Sequence, residues 1–151
     1  MTGPQQALFE HSPWIEARAD ARPSSGDRWA DLMAVVRSAS GEEQLALIRA
    51  HPELAGKAAI DRTLTDASAA EQASAGLDRL TPQDYAHFHA LNTAYRERFG
   101  FPFIICVRLT DKAGILAAME QRLAHERDEE IATAIEQIGQ IVRLRLGDME
   151  A

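Results

Sequence analysis

Apolar residues recur along this chain with the period of a helix, not of a strand. Trp29, Leu32, Met33 and Val36 stand at i, i+3, i+4 and i+7, one face of a helix. Tyr85, Phe88, Leu91, Tyr95 and Phe99 make a second, drifting stripe. Ile115, Leu116, Met119 and Leu123 make a third, and Ile131, Ile135, Ile138 and Val142 a fourth. No run of alternating strands appears, so the pattern predicts an all-α fold, a helical bundle with a cleft.

Polar residues at the ends of these stripes predict where helices start and stop. Asp27 stands where it caps the first stripe, after a turn-rich loop from Ala21 to Asp27. Ser40-Gly41-Glu42-Glu43 is a capping-box pattern, and the short helix it opens should end near His51-Pro52. Ser68-Ala69-Ala70-Glu71 reads as another capping box. Thr81-Pro82-Gln83-Asp84 reads as N-cap, proline at the first helical position and acid at the third, with Gly100 as the stop. The run Phe101-Pro102-Phe103-Ile104-Ile105-Cys106-Val107 is apolar all round and should be deeply buried. Periodicity leaves it open as strand or buried helix.

Composition narrows the class. The 151 residues suit one domain, residues 1–151. Acidic residues outnumber basic ones 23 to 16, a net charge of −7, which argues against nucleic-acid or anionic-membrane partners. No apolar run is long enough to span a membrane and the first residues lack the pattern of a secretory signal, so the expected location is cytoplasmic. The single cysteine, Cys106, excludes an internal disulfide. There is no Gly-rich phosphate loop, CxxC or HExxH. His87 and His89 are two apart, about 200° around a helix, and make poor co-ligands. Neither a metal nor another cofactor is expected.

Several residues carry two readings. Cys106 is a nucleophile only with a depressed pKa and a base; a small core residue is the simpler reading. His51, at a helix end before a proline, suits proton donation near neutrality, yet it also suits the negative end of a helix dipole. Capping alone explains Ser68 and Glu71, although a helix start also attracts anions. Arg108 follows the buried run, and Arg143 and Arg145 stand near the chain end. Each suits helix-dipole or surface duty, and each suits a carboxylate clamp.

Read in order, five segments resemble one family: Phe9-Glu10-His11-Ser12-Pro13-Trp14, His51-Pro52-Glu53-Leu54-Ala55-Gly56-Lys57, the stretch from Leu64 to Leu77, Phe99 to Cys106, and Arg122-Leu123 through Arg145-Leu146. Together they look like the 2-oxo-4-hydroxy-4-carboxy-5-ureidoimidazoline (OHCU) decarboxylases of urate breakdown, over about residues 5–147. The resemblance implies a cofactor-free, all-helical, often homodimeric enzyme that converts OHCU to S-allantoin and carbon dioxide. It implies His51 as proton donor or shuttle, Glu71 as its partner or as the holder of a substrate hydroxyl, and Arg145 as a neutraliser of anionic charge. Pro52, Ser68, Gln72 and the backbone of Phe103, Ile104, Ile105, Cys106 and Val107 match the family's substrate-binding segments. His125 stands where the family usually has asparagine, either a second titrating group near the site or a surface helix position. Two rivals remain: a non-catalytic helical interaction module, and a ureido or hydantoin hydrolase, which would more naturally use metal-activated water.

Overall fold

Local capping chemistry sets most of the helix boundaries. The computed structural model describes residues 8, 9, 11–55 and 65–150, and among them it has seven α-helices and no strand. They are α1 (Trp14–Asp20), α2 (Arg28–Ser38), α3 (Gly41–Arg49), α4 (Asp66–Ser74), α5 (Pro82–Phe99), α6 (Lys112–Arg122) and α7 (Arg127–Glu150), with a 3₁₀ turn at Val107–Leu109. The all-α expectation holds. Glu10, Gly56, Lys57 and Leu64, which belong to the resembling segments, lie outside the described residues.

Three caps stand as the sequence predicts. Ala30 N donates to Asp27 Oδ1 (3.1 Å) at the start of α2. Glu43 N donates to Ser40 Oγ and Ser40 N to Glu43 Oε1, both at 3.1 Å, a reciprocal capping box. Asp84 N donates to Thr81 Oγ1 (3.1 Å). Gly100 ends α5 in the left-handed region (φ 82°), where a Cβ would cost energy.

The fourth is a correction. Ser68 does not cap α4: Thr65 does, accepting from Ser68 N at 3.2 Å, and the helix opens one turn earlier at Asp66. Thr65 and Ser68 are both competent caps, and the earlier start adds a helical turn with an acid at its positive end. Glu71 is then free of capping duty, and Ser68, Glu71 and Gln72 share one helix face at i, i+3 and i+4.

Segment 101–107 is neither strand nor helix. It runs irregularly into the 3₁₀ turn, with Phe101, Phe103, Ile104, Cys106 and Val107 buried. Side chains, not a ladder, satisfy part of its backbone. Arg122 Nη1 donates to Ile104 O (2.7 Å), and Cys106 N donates to Gln137 Oε1 (2.9 Å).

Helix α7 packs against α2 and α3, α1 packs against α2, α5 against α6, and α4 against the 3₁₀ turn. Gly139 permits the close approach of α2 and α7, since a Cβ there would sit 3.0 Å from Met33 Cε. Trp29 Nε1 donates to its carbonyl at 2.8 Å. Tyr95 packs against Phe99, Phe101 and Phe103 with centroids 4.6 to 5.9 Å apart, anchoring the 101–107 segment from α5.

Candidate active site

His51 follows the last turn of α3, whose final residues set its ring. His51 N bonds to Ile48 O at 3.2 Å, and the ring Nδ1 lies 3.0 Å from Leu47 O. A carbonyl only accepts, so Nδ1 carries a hydrogen and Nε2 is the basic nitrogen of the neutral ring. The ring is thus held against a carbonyl of the last turn of α3, as the dipole reading expects, and that contact fixes the orientation of the imidazole.

The loop beyond His51 is held from two helices. Asn92 Nδ2 on α5 donates to Leu54 O (2.9 Å). Ala55 has positive φ (53°), an unfavourable conformation for a residue with a Cβ, and its N–H donates to Gln72 Oε1 at 3.0 Å. Gln72 thus ties the loop to α4 through its amide oxygen.

Glu71 meets Arg145 across the cleft floor. Arg145 Nε donates to Glu71 Oε2 (2.9 Å) and Nη2 to Oε1 (2.7 Å), a two-point pair. Arg145 Nη2 also reaches Ser68 Oγ, and Nη1 reaches Leu8 O, each at 3.3 Å. The Arg145 side chain is 1% exposed and that of Glu71 12%, so the pair is nearly dry. Arg143, two residues away, instead lies 4.5 Å over the Trp29 ring. Neither arginine is in the final turn of α7, which runs on to Glu150, so neither answers the helix dipole.

These pieces line one cleft. Its walls include His51, Pro52, Ser68, Glu71, Gln72, Phe103, Ile104, Ile105, Cys106, Val107 and Arg145, the residues the resemblance assigns to catalysis and binding, but neither Arg143 nor His125. Its empty volume, open mouth included, is about 440 Å³. Leu54, Ile141 and Arg108 complete the lining. The sequence reading assigned the first two no role, although Ile141 stands four residues before Arg145, the spacing of one helix face. Burial pushes the Cys106 thiol pKa up, the opposite of what a nucleophile needs. Among the described residues, no group of three or more His, Cys, Asp or Glu is arranged to hold a metal ion.

His125 is not at the cleft and not on a helix. It sits in the α6–α7 turn, where its Nδ1 lies 2.9 Å from Glu130 Oε2. Glu130 is fully buried and also accepts from Tyr95 Oη (2.5 Å) and Arg122 Nε (2.8 Å). His87 pairs with Glu120 at 3.3 Å and His89 stacks on Tyr85, so the two histidines face different neighbours.

Known proteins resemble this chain in sequence and in fold. The model of the family described as OHCU decarboxylase matches residues 5–147. The 2-oxo-4-hydroxy-4-carboxy-5-ureidoimidazoline decarboxylase of Haloferax volcanii is 47% identical over 145 residues, 93% of this chain and 83% of that protein. The enzyme of the same name from Halalkalicoccus jeotgali is 44% identical over 146 residues, 94% of this chain and 80% of that one. A crystal structure of OHCU decarboxylase in the presence of (S)-allantoin superposes with a TM-score of 0.70, covering 92% of each chain at 19% identity, a likeness of fold. By the match along residues 5–147 and these two relatives, the chain belongs to the OHCU decarboxylase family of carboxy-lyases.

Proposed function

We propose that the cleft decarboxylates OHCU to (S)-allantoin, a step of uric acid degradation, with His51 delivering the proton. The carrying observation is that His51, Glu71 and the 103–107 segment line the same cleft, with the imidazole oriented through Leu47 O. The bond from the ring carbon to its carboxylate breaks and carbon dioxide leaves. The electron pair passes into the adjacent C=N unit of the substrate, so the ring itself is the electron sink. One proton must then be supplied to balance charge. The hydroxyl-bearing carbon becomes a carbonyl as the neighbouring carbon takes a proton on one face, which sets the S configuration.

His51 acts as proton donor or shuttle through Nε2, which takes up a proton from solvent or from the substrate hydroxyl before delivering one to the ring carbon. Glu71 holds the substrate hydroxyl, and Arg145 fixes that carboxylate by its two-point bond. This favours Glu71 as a substrate contact over Glu71 as the orienting partner of His51, since Leu47 O already takes the ring Nδ1. Gln72 has spent its amide oxygen on Ala55 N, so its NH₂ is the end it offers to the ureido or ring carbonyls, beside Ser68. Pro52 and the 103–107 backbone bind the flat ring, and the largely apolar wall of the cleft strengthens the polar contacts inside it.

The test is turnover of OHCU generated in situ by urate oxidase and hydroxyisourate hydrolase, followed as the circular dichroism of (S)-allantoin. His51→Ala is expected to lose at least about 10²-fold in kcat, the lower range for a positioned general acid. Near-normal stereospecific turnover in that variant would sink the assignment.

A further inference from the structure

The charges that line the cleft do not balance in the way an anionic substrate needs unless Arg108 is counted. Among the described lining residues the permanently charged side chains are Glu71, Arg108 and Arg145. Glu71 and Arg145 neutralise one another through two short bonds in a nearly dry setting. Arg145 is moreover turned to Ser68 Oγ and Leu8 O, so its donors serve the protein. Among the described lining residues, Arg108 is the cation not engaged with Glu71 and so the one placed to meet an incoming carboxylate.

Arg108 differs from Arg145 in the ways that matter for capture. It stands in the 3₁₀ turn that ends the ring-binding segment, and its side chain is 31% exposed. Among the described residues its guanidinium donates to Asp148, from Nη1 at 2.6 Å and from Nη2 at 3.0 Å. Asp148 is itself 44% exposed, on the last turns of α7. Arg108 also lines a second depression, about 330 Å³ with its open mouth included, together with Ala67, Ala70, Glu71, Ser74 and Asp148. It therefore stands between the cleft and the surface, holding a carboxylate in the bidentate geometry a substrate carboxylate would need.

Resting on the decarboxylase reading of this cleft, we propose that Arg108 captures the substrate carboxylate, with Asp148 as the stand-in that the substrate displaces. The Asp148 carboxylate keeps the guanidinium extended and pre-formed while the site is empty. Because the pair is solvent-exposed, the exchange of one carboxylate for another is cheap. The captured group is the one that leaves. Its charge drains into the ring as the bond breaks, so Arg108 holds the ground state at least as tightly as the transition state. Its contribution belongs in KM and not in kcat.

The experiment compares Arg108→Gln with Asp148→Asn on in situ OHCU. Both substitutions delete the same surface ion pair, so a purely structural role moves both variants in the same direction. Capture predicts opposite directions. Arg108→Gln should raise KM about tenfold or more, the range of a charge-assisted bond, with the loss absent from kcat. Asp148→Asn, which frees the guanidinium, should lower KM about threefold. The wild-type kcat/KM should fall with added salt, and that slope should flatten in Arg108→Gln. Wild-type turnover with both variants raising KM alike, or with Arg108→Gln unchanged in KM, overturns the capture role alone. A wild-type chain that leaves the spontaneous decay of OHCU unaltered overturns the decarboxylase reading, and the capture role with it.

Discussion

Replacing Arg145 by methionine keeps much of the side-chain length and removes the charge, which isolates the worth of the Glu71–Arg145 pair. The pair bonds at 2.7 and 2.9 Å, with side chains 1% and 12% exposed. Arg145→Met strands the Glu71 carboxylate in a dry wall and takes a donor from Ser68 Oγ and one from Leu8 O. Removing one partner of a buried pair costs about 3–5 kcal/mol. For a chain of this size each kcal/mol moves Tm by about 2–4 °C, so Tm should fall by about 6–20 °C. The double variant Arg145→Met with Glu71→Leu leaves no charge behind. It should be less destabilised than the sum of its single variants by about 2 kcal/mol, within the range of directly coupled residues. Urea unfolding followed by far-ultraviolet circular dichroism at pH 7 measures all four corners of the cycle. A single variant within about 1 kcal/mol of wild type, or strictly additive singles, would refute the claim that the cleft floor rests on this pair.

Two further outcomes follow from shifted acidities. The Arg18 guanidinium, and next the Ser40 N–H, hold Glu43 down at about 2 from its ordinary 4.5. A depressed carboxylate stabilises the fold above its unfolded value and loses that contribution as pH falls from 4.5 toward about 2. Glu43→Gln should therefore be less stable than wild type at pH 7, with the two acid-unfolding curves converging near pH 2 in a circular-dichroism titration. Parallel curves across that window would contradict the linkage. Cys106 is buried with a raised thiol pKa, so at pH 8 its reaction with a thiol-specific disulfide reagent should be at least about tenfold slower than in urea-unfolded chain. Equal rates would show the segment around it to be open.

Whether a feature was legible in the sequence depended on how far away its partner lay. The Asp27, Ser40 and Thr81 caps were readable because donor and acceptor sit within one turn and the bond needs nothing else. The Ser68 cap failed on the same logic. Thr65 and Ser68 present equivalent hydroxyls three residues apart, and the acid that seemed to complete Ser68's box is engaged by an arginine 74 residues later. Segment 101–107 was legible as buried because it is apolar throughout. It was illegible as structure, because Arg122 and Gln137, from two other helices, supply hydrogen bonds that a strand or helix would have supplied internally.

The residues of the candidate site were named from motifs, and all of them line one cleft. How they are joined was another matter. Position along the chain does not distinguish Arg108, Arg143 and Arg145, each of which suits surface duty or a carboxylate clamp. Packing sends one to Asp148, one to the face of Trp29 and one to Glu71.

By itself the sequence determined six of the seven described helices (all but α1), three of their caps, the burial of the 101–107 run and the family, since these rest on residue periodicity, on bonds within one turn and on segments in register. The tertiary structure alone decided which arginine pairs with Glu71, which atom of Gln72 is spent, which nitrogen of His51 is basic, and that Arg108 pairs with Asp148. Those are choices among chemically equivalent partners. Only the packing of α4, the 51–55 loop and the 3₁₀ turn against α7 brings one of them within hydrogen-bond range and leaves the others out.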